Sequence, residues 1–165
     1  MLRQDNLSGA NETLEAGLSG TVIDVTLVLD TNAYADNDVL AVVQEITGVF
    51  DYAGGVRTLQ SIVLLDEDDQ AQDIDLVFFN ATATLGTINA AVSISDADAR
   101  KLIGKVSILI ADYVDLINSQ AAVKTGIGMV MKAAAASTSL WVGAVLRSGT
   151  PTYTAAGIKL KLGFK

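Results

Sequence analysis

The 165-residue sequence contains no histidine, no cysteine and a single proline, Pro151. Without imidazole or thiolate, neither a Ser-His-Asp nor a Cys-His nucleophilic arrangement can be assembled, and a zinc site within one chain would need carboxylates alone. With no disulfide possible, the redox compartment stays open and the core itself must supply the stability. Aromatic residues make up only 5% of the chain, too few for the stacked platforms that line a carbohydrate groove. Basic residues are also scarce: 11 Lys and Arg face 19 Asp and Glu, a formal net charge of -8 with a sequence pI near 4.3. That balance disfavours nucleic acid and anionic membrane as partners, since both are held through Lys and Arg. No apolar run approaches the roughly 20 residues of a membrane helix, and Met1 to Asn6 lacks the apolar core of a signal peptide. The expectation is a soluble product of cytoplasmic synthesis.

What is present is a chain that is 50% hydrophobic, arranged mostly in alternation. Residues 1–20 are polar and rich in Asn, Gly, Ser and Glu, and read as an N-terminal arm, flexible or bound to a partner. Residues 21–165 read as one domain. Ile23, Val25, Leu27 and Leu29 alternate with Asp24, Thr26 and Val28, the period of a half-buried strand. Val39 to Phe50 predicts a second strand, with Gly48 at a bulge or close backbone approach, and Gly54-Gly55 a turn. Val56 to Leu65 and Gln72 to Phe79 predict a β-hairpin whose tip, Asp66-Glu67-Asp68-Asp69, carries four solvated carboxylates. Ser95-Asp96-Ala97-Asp98 predicts a capped helix of about two turns, with Ser95 as N-cap, Asp98 completing a capping box and Gly104 as the stop. Val106 to Ala111, Tyr113 to Ile117, Ile127 to Lys132, Ser139 to Leu146 and Ile158 to Phe164 complete a series of short strands. The fold class expected is mainly β: an antiparallel β-sandwich or jelly-roll-like barrel with one short helix.

Three carboxylate groups are the candidates for chemistry. Asp66 to Asp69, and Asp30 with Asp36 and Asp38, offer hard oxygen ligands of the kind Ca²⁺ takes, but neither has the EF-hand spacing, and solvated turns describe both better. Asp96 and Asp98 fit a helix cap. Gly126-Ile127-Gly128 follows no βα unit, so a bulge suits it better than a phosphate cradle. No catalytic, cofactor-binding or metal-binding residue is assigned, and the expectation is a protein that is not an enzyme. Trp141, inside Ser139-Leu140-Trp141-Val142, reads as core or subunit interface, and Tyr113 and Tyr153 with Tyr52 as strand-end or interface residues. Charged residues are 18% of the chain, against about a quarter in typical soluble domains. Together with the small-residue run Ala133 to Ala136, this favours a component of an assembly.

One resemblance sharpens that expectation. The succession Asp30-Thr31-Asn32-Ala33-Tyr34-Ala35-Asp36-Asn37-Asp38-Val39, Ile62-Val63-Leu64-Leu65-Asp66, Leu76-Val77-Phe78-Phe79-Asn80, Ser95-Asp96-Ala97-Asp98, Ala111-Asp112-Tyr113-Val114-Asp115 and Gly149-Thr150-Pro151-Thr152-Tyr153 resembles a family of small virion structural proteins of tailed bacteriophages. It spans Thr21 to Phe164 and rests on the order of the segments, since none is an active-site motif. The resemblance implies a capsid decoration (cement) protein on the outer surface of the virion. Its implied partners are the major capsid protein and further copies of itself, as a homotrimer. A tail, neck or head-fibre component is the alternative within the virion, and a carbohydrate- or Ca²⁺-binding β-sandwich the alternative outside it.

Overall fold

Each alternating stretch becomes a strand because one of its faces has a core to cover. The computed structural model describes residues 20–165, so the arm expected at residues 1–20 lies, but for Gly20, outside the described residues. The strands are β1 (Thr21–Thr26), β2 (Val39–Ile46), β3 (Val56–Asp66), β4 (Ile74–Phe79), β5 (Leu102–Ile108), β6 (Tyr113–Asp115), β7 (Gln120–Lys132), β8 (Leu140–Leu146) and β9 (Ile158–Phe164). One sheet runs β1-β9-β3-β7-β6 and the other β2-β8-β4-β5, with every strand pair antiparallel. The pairs β1–β9, β2–β8, β3–β7 and β4–β5 are nested one inside the next. Folding such a nested hairpin over on itself gives a jelly roll, to which β6 adds a short edge.

The core lies between the sheets. Ile158, Leu160, Leu162 and Phe164 point into it from β9, Ile62 and Leu64 from β3, and Ile74, Leu76 and Phe78 from β4. The other side of β4 is also buried, which explains why every residue of it but Asp75 is apolar. The long connection between β4 and β5 folds back over the four-stranded sheet, bonding Val39 N–H to Ala90 O and Asn89 N–H to Val39 O. Beneath it Val39, Val77, Phe79, Leu85 and Val145 form a second, smaller cluster. Gly143 permits this closeness: a Cβ there would stand 2.7 Å from Leu85 Cδ1.

Three local expectations are corrected. β3 and β4 do not form a hairpin, because they belong to different sheets and the acidic segment between them is a crossover. The helix is a single turn, Asp96–Ala99, and Gly104 lies within β5, where its missing side chain makes room for Met129 of the facing sheet. Ser95 does cap the turn by accepting Asp98 N–H, but Asp98 turns its carboxylate to Lys101 and Thr84. Finally, β7 is one strand of 13 residues. Gly126 and Gly128, at φ of 67° and 65°, carry a bulge opposite the step from Leu59 to Ser61.

Candidate functional site

Jelly-roll nesting brings four connections to one end of the sandwich: 27–38, 67–73, 109–119 (which contains β6) and 147–157. The acidic residues singled out from the sequence concentrate here. Asp30, Asp36 and Asp38 lie in the first connection, Glu67, Asp68, Asp69 and Asp73 beside Asp66 in the second, and Asp112 and Asp115 in the third; the fourth supplies only Arg147.

These carboxylates are held apart and bound by the chain itself. Asp66 is fully buried, with Oδ1 accepting Asp68 N–H and Oδ2 accepting the N–H groups of Gln70 and Ala71 at 3.0 and 2.9 Å. Burial pushes its carboxyl above the usual range, and the three N–H donors pull against that shift. So Asp66 is the internal frame of the crossover, contrary to the solvated tip expected. The three N–H groups offset part of the cost of burying its charge, and the segment that presents them has Asp69 and Ala71 at positive φ. Asp68 accepts the N–H and hydroxyl of Thr154, tying the second connection to the fourth. Asp73 accepts Ile110 N–H and so ties it to the third. Asp30 accepts the backbone and side-chain N–H groups of Asn32, which hold its carboxyl below the usual range. Asp38 accepts Ala35 N–H within the same turn. No group of three or more carboxylates suited to a metal ion is found among the described residues.

The aromatic residues divide differently from expectation. Tyr153 is interior: its ring meets Tyr34 edge to face at 6.1 Å, and its hydroxyl has no hydrogen-bond partner among the described residues. Tyr34 donates to Leu40 O and accepts Asp30 N–H, and burial pushes its phenol up to about 12. Tyr113 is half-buried and donates to Gln72 O, closing the third connection on the second. Burial, reinforced by Asp66, Asp73 and Asp112, raises its phenol far above the ordinary value. Trp141 sits at the far end of the four-stranded sheet's outer face, paired with Glu45 and Phe79 and packed against the cluster under the 80–95 loop. Among these residues only Tyr52 is exposed outright.

Sequence reasoning missed a charged centre beside this end. Asp75 is buried and accepts from Lys105 (2.9 Å), Arg147 (2.8 Å) and Ser107, while Arg147 also reaches Asn37. Burial alone would raise the Asp75 carboxyl, but these three donors together hold it below the usual range. The signal was available: Asp75 is the one charge inside the apolar run Ile74 to Phe79, and a charge so placed has to be partnered.

No family model and no curated protein matches the chain. Among solved structures, a chain of Desmodium yellow mottle tymovirus is similar over 88% of this chain and 79% of that one, with a TM-score of 0.31 and 9% identity. A likeness that slight carries no argument about fold or role.

Proposed function

We propose that this chain is a non-enzymatic structural protein of a virus particle, specifically a decoration protein that binds the outer shell as an oligomer and strengthens contacts between capsomers. The observation that carries the reading is the locked loop end. In a barrel the mouth is a common place for a ligand; here Asp30, Asp66, Asp68 and Asp73 are spent on the chain's own backbone. The polar chemistry of the mouth makes the domain rigid. Rigidity is what a clamp across a seam needs, since the work of bridging is done by buried area and many symmetric copies add avidity. Jelly rolls serve in viral shells, although lectins and cupins use them too, so the fold agrees with the role without selecting it. The segment order set out above supplies the viral assignment. The partners of this reading are the major capsid protein and copies of the chain itself, as a trimer.

The test is co-sedimentation of the purified full-length protein with expanded shells of the phage that encodes it. Saturable binding in a fixed ratio to capsomers, with shells that then survive heating better, is the expected result. Failure to bind shells overturns the decoration role, and labelling of tail or neck in intact particles would then move the protein there. Removing residues 1–20 is expected to leave the domain folded and to weaken shell occupancy; unchanged occupancy would free the arm of that role.

A further inference from the structure

The two outer sheet faces are treated in opposite ways. The chain covers its four-stranded sheet with its own 80–95 loop, burying Val77, Phe79 and Leu85. The outer face of the five-stranded sheet has no such cover among the described residues. Register places Val22, Val63, Val123 and Val114 on it, with Leu65 facing Ala121 beside them and Val130 beyond the bulge. Val22, Val114, Val123 and Val130 are each more than half exposed, Val130 at 65%. The patch runs on into the β6–β7 turn, where Leu116 is half exposed and Ile117 is 83% exposed at a φ of 77°, a strained conformation for a β-branched side chain.

We infer that this face is a self-association surface, covered in solution by a second copy of the chain. Two observations select that occupant. The first is charge. The molecule as a whole is strongly acidic, but on this face Asp24 is matched by Lys161 at 2.8 Å and Glu67 by Lys159. The acidic excess lies instead on the loop end. Two identical chains of charge -8 can therefore approach through this face without bringing like charges together, whereas a basic partner would be drawn elsewhere. The second is size. The five strands, of 6, 7, 11, 13 and 3 residues, at about 3.3 Å per residue and about 4.8 Å between strands present roughly 600 Å² in projection. With the β6–β7 turn added, that approaches the ~800 Å² each partner gives to a stable interface. A shallow depression of about 390 Å³ between Asp24, Thr26, Val63, Leu65, Lys159 and Lys161 gives the face relief for interdigitation.

This inference deepens the oligomer in the proposed function, and its test needs no shell. The mass of the full-length protein is measured by light scattering and sedimentation over a wide concentration range, beside Val63→Glu/Val123→Glu. An oligomeric native protein and a monomeric double variant with unchanged circular dichroism are expected. Should that variant not fold, Val114→Lys/Val130→Lys replaces it, since both positions are well exposed and a lysine there meets water. Tyr52→Glu, an exposed site outside the face, is expected to keep the native mass. A native protein that is monomeric throughout, face variants that stay oligomeric, or a Tyr52 variant that dissociates equally would each overturn the inference. So would a monomer that associates only after residues 1–19 are removed, because that segment would then be the occupant. A monomer that still binds shells would sink this face and leave the decoration role standing. An oligomer that ignores shells would do the reverse.

Discussion

Replacing Asp66 tests whether a buried carboxylate frames the loop end. In Asp66→Asn the amide oxygen can take the place of one carboxylate oxygen only. The amide nitrogen then confronts at least one backbone N–H, that of Asp68 in the best orientation. In Asp66→Ala all three N–H groups, of Asp68, Gln70 and Ala71, lose their acceptor. At about 1.5 kcal/mol for each N–H that loses a charged acceptor, the expected losses are ~1.5 kcal/mol for Asn and, with part of the carboxylate's desolvation cost recovered, ~3 kcal/mol for Ala. For a chain of this length these correspond to falls in Tm of ~3–6 °C and ~6–12 °C, read by calorimetry at pH 7. The pH dependence supplies a sign. Because burial raises the folded-state carboxyl above the ordinary aspartate value of 3.8, the folded protein takes up a proton before the unfolded chain does. Stability from this group is therefore gained as pH falls through the folded pKa and is complete below 3.8. The margin of the native protein over Asp66→Asn should widen between pH 7 and pH 4. An Asn variant as stable as the native protein, or a margin that narrows on acidification, would refute the account of Asp66.

Four further outcomes follow from the same structure. Asp75→Asn leaves Lys105 and Arg147 without their shared carboxylate and should cost ~2 kcal/mol, less than the ~3–5 kcal/mol of a fully buried broken pair because both cations reach water. Since the Asp75 carboxyl is held low, its contribution is present above 3.8 and lost as pH falls through the folded pKa; here the margin should narrow in acid, which parallel melts at pH 7 and pH 3 would check. Gly143→Ala drives a methyl against Leu85 and Val43 and should cost ~1–3 kcal/mol as overpacking, with faster hydrogen exchange in residues 80–95 as its local sign. Tyr153→Phe removes a hydroxyl that has no partner among the described residues and should change stability by less than ~0.5 kcal/mol in chemical denaturation, whereas a loss above ~1 kcal/mol would reveal a bond through buried water. Adding Ca²⁺ or EDTA should leave Tm unmoved, because the loop-end carboxylates are already engaged by the chain; a Ca²⁺-dependent rise would point to a bound ion by mass action.

The strands were legible where one face meets the core and the other meets water or a partner. Ile158 to Phe164 alternates cleanly for that reason, whereas Val56 to Leu65 ends in Ile62-Val63-Leu64-Leu65, apolar on both faces. Their partners were not legible, because jelly-roll pairing is long-range: Thr21 lies opposite Phe164, and no local signal reports that. The misread hairpin at Asp66 to Asp69 has the same cause. Polar residues between two apolar runs mark a reversal of the chain, but they do not say whether the chain returns to its own sheet or crosses to the other. Gly104 misled in a similar way, since the contact that requires it, Met129, comes from the opposite sheet. The role of Asp66 was hidden by its neighbours: within four successive carboxylates, nothing in the sequence separates the buried one from those in water.

The outer positions of the five-stranded sheet are more apolar than a face turned to water requires. A strand face meant for water carries charges at every second residue, and β9 does so with Lys159 and Lys161. β3 beside it and β7 beyond place Val63, Leu65 and Val123 at the equivalent positions, although lysine or glutamate there would disturb nothing in the core. Strand propensity alone does not account for the choice, since threonine serves a strand nearly as well, and Thr26 and Thr125 occupy two positions of the same surface. Nor does the chain lack the means to cover a sheet, because the 80–95 loop does so on the other side. Among the described residues nothing covers this face, and an apolar face left bare opposite a loop-covered one costs solubility in a free monomer. On the self-association inferred for this face, a second copy would bury it and recover that cost.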